Sequence, residues 1–198
     1  MPAEVVLNQN EYCTFLKSLP FWSGGTAYRA SLPWNCLYLD PNTNVLWADC
    51  NNLVKATIWG RATIPEPGNN WYAPGRYGLN DLTCAQLINS CDDISIDFNN
   101  ILPGECLYMP GTPDHIGTYV GNFIINGVTC NVIEATAGFE SGILATYVSN
   151  TGQRTNGQGG TPGGTWQKHG KLPWIAYDIM TDDELLWYAI FKRIQRYF

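Results

Sequence analysis

The sequence has few charged residues, and acidic residues outnumber basic ones. Charged side chains make up 14% of the 198 residues, with 17 Asp and Glu against 11 Lys and Arg, which gives a formal net charge of -6. Because nucleic acids and anionic membrane surfaces repel such a chain at long range, this balance argues against both as partners. We expect any polymer that the chain binds to be neutral or zwitterionic.

Long apolar runs are also missing. The first thirty residues have neither a basic start nor an apolar stretch of signal-peptide length. No later stretch approaches the roughly 18 apolar residues of a membrane span. We therefore expect a soluble chain that carries no secretion signal of its own.

The cysteines lack the spacing of a metal or redox motif. None of the seven forms a CxxC pair, which excludes zinc-ribbon and thioredoxin-type sites. Because their number is odd, at least one thiol must stay unpaired within the chain.

The pattern of apolar residues changes from helical to extended near Pro103-Gly104. The first part predicts three helices separated by loops rich in Pro and Gly: one from Asn10 to the Ser18-Leu19-Pro20 stop, one over 50–59, and one over 81–91. The second part predicts an antiparallel sheet from strands 105–109, 115–121, 123–125, 128–136, 143–149 and 172–177. The glycine-rich segment 153–164 predicts a loop. Helices followed by a meander of strands are typical of the α+β class, with the helices packed on one face of the sheet.

The chain is interpreted as one domain over 1–180, followed by a separate helix over 181–198. Thr181 and Glu184 form a capping-box pattern ahead of this helix, whose apolar face needs a partner. We expect that face to dock on the domain, to pair with a second copy in a homo-oligomer, or to lead into a further segment.

Cys50 is the best-placed candidate nucleophile. It follows the good N-cap residue Asp49, so it falls in the first turn of a helix, where the helix dipole favours thiolate over thiol. The negative charge of Asp49 opposes this effect. Cys84, near a predicted helix start, and Cys91, near a helix end, are the alternatives.

A thiol nucleophile needs a base, and the sequence offers two histidines. His115 opens the alternating run HIGTYVG, in which glycines on the same face leave room beside the imidazole. His169 lies in the segment KHGKLPW and is predicted to be a surface or strand-entry residue.

The sequence offers three candidates for the group that orients the imidazole. A simple hairpin turning at Asn126-Gly127 would place Glu134 on the face of His115 but about four residues away. Twist, a bulge or a register change must close that gap if Glu134 is the partner. Thr136 and Asp114 are the alternatives.

Four segments resemble the NlpC-type cell-wall cysteine peptidases. WADCNNLVKATIWG resembles their nucleophile helix, DHIGTYVG their histidine strand, VIEAT the strand with the third polar residue, and WQKHGKLPWIAYD the last strand of phage lysin-like members. The order of the segments also agrees, and together they cover roughly residues 12–178. Two features depart from the family pattern: Asn51 and Asn52 stand where Ser and Gly are common, and the hairpin between His115 and Glu134 is longer than usual.

The resemblance implies a papain-like fold and hydrolysis of a peptide bond in bacterial peptidoglycan stems, typically between D-γ-glutamate and a diamino acid. By position, Cys50 would be the nucleophile, His115 the base and Glu134 the orienting residue. Trp22, Tyr28 and Asp49 are assigned to substrate binding. No metal or other cofactor is expected.

Such an enzyme would act at the bacterial wall, either after release through a holin-type membrane hole or as part of a virion. We therefore expect peptidoglycan as its polymer and phage virion or tail proteins as further partners. Two other functions fit the same resemblance: a non-catalytic phage tail or wall-binding module, and an N-acetylmuramoyl-L-alanine amidase that uses the same thiol.

Overall fold

A computed structural model describes residues 2–30, 37–137, 141–155 and 163–177. These ranges contain α-helices and a mostly antiparallel set of strands, the α+β class that the sequence predicts. The predicted helix over 181–198 lies outside the described residues. No helix in the described ranges has the length and apolar character needed to cross a membrane.

The helices begin at polar caps. They are α1 (Gln9–Ser18), α2 (Cys50–Trp59) and α3 (Cys84–Asn89). The α2 prediction is confirmed, with Asp49 as N-cap and Gly60 as C-cap. The other two predicted starts are wrong. Asn8 rather than Asn10 caps α1, in a capping box with Glu11, and Thr83 caps α3, which is therefore shorter than 81–91.

The main sheet has seven strands in the order β10-β9-β8-β7-β6-β11-β5, and every neighbouring pair is antiparallel. Its strands are β5 (Asp92–Ser95), β6 (Cys106–Met109), β7 (His115–Ile125), β8 (Val128–Thr136), β9 (Gly142–Val148), β10 (Arg154–Thr155) and β11 (Lys168–Lys171). Strand β5 was not predicted, and β10 lies in a segment that the sequence predicts to be a loop; residues 156–162 of that segment lie outside the described residues.

Short strands complete the fold. The predicted loop before α2 contains β2 (Thr26–Tyr28), β3 (Tyr38–Leu39) and β4 (Leu46–Ala48), which form a three-stranded sheet. The predicted last strand over 172–177 is confirmed only at its end, as β12 (Ile175–Ala176). The main sheet ends its pairing at Lys171, before Pro173, which has no N–H to donate. Strand β12 instead pairs in parallel with β1 (Leu7–Asn8), where the sequence predicts an antiparallel sheet.

The core lies between the helices and one face of the main sheet. Buried side chains of α1 and α2 pack there against those of β7 and β8: Tyr12, Leu16, Leu53, Ile58, Ile116, Val120, Ile133 and Ala135. A smaller cluster, Phe98, Leu107, Val132, Val148 and Trp166, forms apart from this core. Gly117 of β7 borders that second cluster, because a Cβ there would meet Trp166 and Val132. The start of β7 therefore lies beside both clusters.

Candidate active site

Cys50 occupies the first position of α2. The Asp49 carboxylate accepts hydrogen bonds from the Asn52 backbone N–H at 2.8 Å and from its side-chain amide at 2.5 Å, which fixes the start of the helix. The Cys50 side chain is nearly buried, at 9% exposure. Its sulfur lies 3.5 Å from that of Cys84, the first residue of α3.

The surroundings of Cys50 favour the thiolate. The hydrogen bond from Cys84 lowers the pKa of Cys50, burial raises it, and the His115 imidazole and the Ile116 N–H lower it again, to about 4. The proton shared by the two cysteines stays on Cys84, whose pKa is raised by the Cys50 thiolate and by burial. At neutral pH the sulfur of Cys50 is therefore a nucleophile and that of Cys84 a hydrogen-bond donor.

His115, the first residue of β7, connects the sulfur to a carboxylate. Its ring interacts electrostatically with the Cys50 sulfur, and its Nε2 lies 2.5 Å from Oε2 of Glu134. Burial lowers the pKa of the imidazole, but the interactions with Cys50 and Glu134 outweigh burial and raise that pKa to about 9. Because Nε2 is hydrogen-bonded to Glu134, Nδ1 is the ring nitrogen available to interact with the Cys50 sulfur. The pair is thus thiolate and imidazolium between the two pKa values.

Glu134 is fully buried and its carboxylate is saturated with donors. Besides His115, Oε1 accepts from the Thr146 hydroxyl at 2.5 Å and from Nε of Arg154 at 2.9 Å. Nη2 of Arg154 lies 2.8 Å from Oε2. Burial raises the pKa of Glu134, whereas these donors and the charges of His115 and Arg154 lower it, with a net decrease. The carboxylate therefore stays ionised although no water reaches it.

Formal charges alternate along the row Cys50, His115, Glu134 and Arg154. A thiolate is followed by an imidazolium, a carboxylate and a guanidinium, so the row sums to zero. Buried charges are stable only when they are paired and hydrogen-bonded, and each interior member here lies between two opposite charges.

A register shift brings Glu134 to His115. The hairpin pairs Phe123 with Cys130, as the simple turn predicts, but Tyr119 then pairs with Val132 instead of Glu134. Strand β7 therefore contains two more residues than β8 over this stretch, where Gly121 has a φ of +75°. The shift moves Glu134 two residues closer to the start of β7.

The alternatives to Glu134 are placed differently. Asp114 accepts a hydrogen bond from the Tyr108 hydroxyl at 3.4 Å, and Thr136 lies opposite Gly142 in the β8–β9 ladder. Glu134 is the carboxylate that the structure bonds to the imidazole.

Trp166 forms a wall of the site that the sequence did not indicate. Its ring stacks on the His115 imidazole with centroids 5.5 Å apart and planes at 24°. The Arg154 guanidinium lies 6.0 Å from the centroid of the same ring. Trp166 is almost fully buried, so it fixes the plane of the imidazole from one side.

The three predicted substrate-binding residues have different positions. Tyr28 lies near the nucleophile; burial, then the charges of Cys50 and Asp49, raise the pKa of its phenol. Asp49 caps α2, and burial raises the pKa of its carboxyl. Trp22 donates its indole N–H to the Asn44 carbonyl, in the turn before β4, and not to Cys50.

His169 contradicts the prediction of a surface residue. It is buried in β11, where Nδ1 bonds to the Glu105 carboxylate and Nε2 lies 3.0 Å from the Asp97 carbonyl. Burial lowers the pKa of this imidazole, but the contacts with Glu105 and Asp97 give a net increase. Both nitrogens are used within the fold, which gives His169 a structural role and leaves His115 as the histidine beside Cys50.

The cysteines in the described ranges are free thiols, and all of them are buried: Cys13, Cys50, Cys84, Cys91, Cys106 and Cys130. Cys50 is therefore available as a thiolate and not held in a disulfide.

Comparison of this chain with protein families, with curated proteins and with solved structures finds no match. Its function is therefore argued from the geometry of the site together with the sequence pattern.

Proposed function

We propose that the chain is a peptidoglycan hydrolase that cleaves a stem-peptide bond through the Cys50 thiolate. The observation that carries the proposal is the chain of contacts from Cys50, at a helix N-terminus, through the His115 ring to the buried Glu134. A nucleophile, a base and an orienting group in this order are the components of covalent acyl transfer. The helix that presents a cysteine to a histidine on an antiparallel strand also supports a papain-like arrangement.

The chemistry follows from the protonation states. The Cys50 thiolate attacks the carbonyl carbon of the stem bond, and the electron pair of the C=O bond moves to its oxygen. We assign binding of that oxyanion to the Cys50 backbone N–H at the start of α2 and to the nearby Tyr28 hydroxyl. The tetrahedral intermediate collapses as His115 gives its proton to the leaving amine.

The resulting thioester is hydrolysed by the reverse sequence of proton transfers. Neutral His115 takes a proton from water, the hydroxide attacks the thioester carbon, and the thiolate leaves with its electron pair. Glu134 and Trp166 keep the imidazole in one orientation through both steps. Apart from substrate and water, these steps use only side-chain and backbone groups of the chain.

The substrate class is proposed from the sequence pattern. The four segments that resemble the NlpC-type peptidases favour the bond between D-γ-glutamate and a diamino acid, and a chain with net charge -6 suits a zwitterionic stem better than a polyanion. We place its action at the bacterial wall, after release through a membrane hole or within a phage particle. The apolar face predicted over 181–198 is a candidate contact for virion proteins or for a second copy.

The direct test compares Cys50→Ala with the matched variant Cys130→Ala on purified peptidoglycan. Cys130 is a buried cysteine whose sulfur bonds to the Val128 and Ala145 carbonyls. We expect Cys50→Ala to abolish release of soluble muropeptides while its circular dichroism stays that of the parent, and Cys130→Ala to retain release. Unchanged release by Cys50→Ala would remove Cys50 from the mechanism.

Product analysis identifies the bond. A peptidase of the proposed type creates new amino termini on the diamino acid inside the stem, whereas an amidase creates free lactyl carboxyls on the sugar. Mass spectrometry of the muropeptides distinguishes the two. If the parent protein binds walls of several chemotypes but releases nothing from any of them, the non-catalytic module is the better description.

A further inference from the structure

Beyond hydrolysis, we propose that Cys50 and Cys84 are a reversible disulfide pair, with hydrogen peroxide as the oxidant class and low-molecular-weight thiols as the reductants. The inference rests on Cys50 being the reactive thiolate of the proposed function. It assigns Cys84 a covalent role that hydrolysis does not need.

The distance between the two sulfurs is the first support. Cys50 and Cys84 are 34 residues apart in the chain, yet their Sγ atoms lie 3.5 Å apart. A disulfide requires about 2.05 Å, so the atoms must approach by about 1.5 Å, which small side-chain rotations supply. Each cysteine is the first residue of its helix.

A second support is the clamp that holds the two helix starts together. The Asn51 side-chain amide donates to the Leu82 carbonyl at 3.0 Å, and Lys55 Nζ donates to the same carbonyl at 2.8 Å. Lys55 also forms an ion pair with Asp81 at 2.5 Å. These bonds tie the segment just before Cys84 to the helix that carries Cys50. Asn51 is one of the two positions that depart from the peptidase pattern, and this bond gives it a use.

The reaction balances in two steps. The Cys50 thiolate attacks one oxygen of hydrogen peroxide, the O–O bond breaks, and the products are the Cys50 sulfenic acid and hydroxide. The Cys84 sulfur then attacks the Cys50 sulfur, the S–O bond breaks, and the hydroxyl leaves with the Cys84 proton as water. Two thiol sulfurs are oxidised and the two oxygens of peroxide are reduced.

The order of events is set by the two environments. Cys50 is the thiolate and reacts first, because Cys84 keeps its proton while it donates to that thiolate. Once the Cys50 sulfur is a neutral sulfenic acid, the charge that held the Cys84 proton is gone. The disulfide then blocks the nucleophile but protects it from the irreversible sulfinic acid.

A neighbouring cysteine pair provides an internal comparison. Cys91 interacts with Cys106, and burial raises the pKa of Cys106 well above its ordinary value. The pKa of Cys106 is thus shifted in the direction opposite to that of Cys50, and we expect oxidation to select Cys50 and Cys84.

The test is mass spectrometry of the native protein after treatment with hydrogen peroxide. Chymotrypsin separates the relevant cysteines, because Trp47 and Trp59 bracket Cys50, Leu82 and Leu87 bracket Cys84, and Cys91 falls in the next peptide. We expect a loss of two mass units, a cross-linked peptide joining Cys50 to Cys84, and loss of iodoacetamide labelling at Cys50. Dithiothreitol should restore the labelling in full.

The variant Cys84→Ser tests whether Cys84 forms the disulfide with Cys50 or only lies beside it. In this variant we expect peroxide to add two oxygens to Cys50, because no link can form. Dithiothreitol should then fail to restore iodoacetamide labelling at Cys50. We expect the same result for Cys84→Ala. The control Cys130→Ala should still form the link. A parent protein in which peroxide yields Cys50 sulfinic acid, or a link between Cys91 and Cys106 alone, would overturn the proposal.

This readout is independent of hydrolysis. A link that forms in a protein without wall activity would support the redox pair and contradict the hydrolase. If peroxide destroys the wall activity without forming the link, the result would support the hydrolase and contradict the redox pair.

Discussion

Oε2 of Glu134 lies 2.5 Å from Nε2 of His115 although a regular hairpin would hold the two residues about four positions apart. Two extra residues in β7 shift the register and remove half of that separation. The other oxygen of this buried carboxylate, Oε1, accepts hydrogen bonds from Thr146 and Arg154, which hold the group in place. The contact therefore depends on how β7 pairs with β8 beyond Tyr119, at least four residues along the strand from His115.

The first prediction concerns the pH dependence of activity. In the proposed mechanism the reactive form pairs a Cys50 thiolate with a His115 imidazolium, whose pKa values are about 4 and about 9. We expect kcat/KM on a soluble stem peptide to rise with pH through the lower value as the thiol ionises, and to fall through the upper one as the imidazole loses the proton needed by the leaving amine. Initial rates across this range test the bell shape.

Alkylation by iodoacetamide checks the same pKa values without substrate. At pH 6 an ordinary thiol with a pKa of 8.5 is only about 0.3% thiolate, whereas Cys50 should still be ionised. We expect rapid labelling at Cys50 alone under these conditions. Faster labelling at Cys84 or Cys91 would show that the nucleophile has been assigned to the wrong residue.

Glu134→Gln tests the orienting group. Glutamine keeps the size of the side chain but removes the negative charge that stabilises the imidazolium, so the pKa of His115 should fall and the alkaline limb of the pH profile should move down. By analogy with other nucleophile–base–carboxylate sites, we expect a loss of roughly 10²- to 10⁴-fold in kcat. Thr146→Val, which removes one neutral donor from the same carboxylate, should lose far less. Equal losses in the two variants would indicate a general packing defect.

How far the sequence could predict this site is clearest from α2. Asp49, Cys50 and Gly60 encode its cap, first residue and end locally, so the sequence pattern alone predicts both bounds of the helix. The two- and three-residue strands β2, β3 and β4 were missed because such short segments cannot show an alternating pattern. A strand signal needs more residues than these elements contain.

The partners of Glu134 could not be predicted for a different reason. Arg154 lies beside Glu134 because the sheet order β10-β9-β8 brings its strand to within one strand of β8. Trp166, in the segment before β11, stacks on His115. Both contacts arise from long-range topology. The glycine-rich sequence around Arg154 suggested only a loop, and nothing local marked its guanidinium as the counter-charge of a buried carboxylate.

Arg154→Gln tests that counter-charge. Removing one partner of a buried ion pair leaves Glu134 less compensated, so we expect the free energy of unfolding to fall by about 3–5 kcal/mol. Because Glu134 would then be neutralised by His115 alone, the imidazolium should be held more tightly and the alkaline limb should move up, opposite to Glu134→Gln. Urea denaturation and the pH profile measure the two effects.

The control for Arg154 is Arg61→Gln, which removes an arginine from an exposed position. It should change neither the urea midpoint nor the alkaline limb. Arg154→Lys should restore much of the stability because it keeps the charge, but not the two-nitrogen contact with the carboxylate. An unchanged pH profile in Arg154→Gln would mean that the guanidinium only fills space.

His169 gives a prediction about stability rather than catalysis. Its pKa is raised in the folded protein by Glu105 and by the Asp97 carbonyl. The corresponding stabilisation is therefore fully present below the unfolded pKa of about 6.5 and is lost as the pH rises through the folded value. We expect the stability difference between the parent and His169→Gln to be larger at pH 6 than at pH 9.5, by urea denaturation.

Labelling of Cys50 should be the same in His169→Gln as in the parent at every pH where the variant is folded, because His169 belongs to β11 and not to the Cys50–His115 pair. A difference in stability that does not depend on pH would show that His169 contributes by packing on Phe98 alone.

Gly117→Ala tests whether space beside the imidazole is required. An added Cβ would stand 3.0 Å from the Trp166 ring, 3.2 Å from Val132 Cγ1 and 3.4 Å from Glu134 Cβ, so it would press on the ring that stacks on His115 and on the residue that orients it. We expect a loss of about 1–3 kcal/mol in stability from overpacking. We also expect kcat to fall by a larger factor than KM changes, because the imidazole is displaced. The matched variant is Gly163→Ala, where an added Cβ meets nothing within 4 Å and φ is not in the left-handed region. Thermal denaturation and kinetics of the pair measure both effects, and equal behaviour of the two variants would mean that Trp166 yields without disturbing His115.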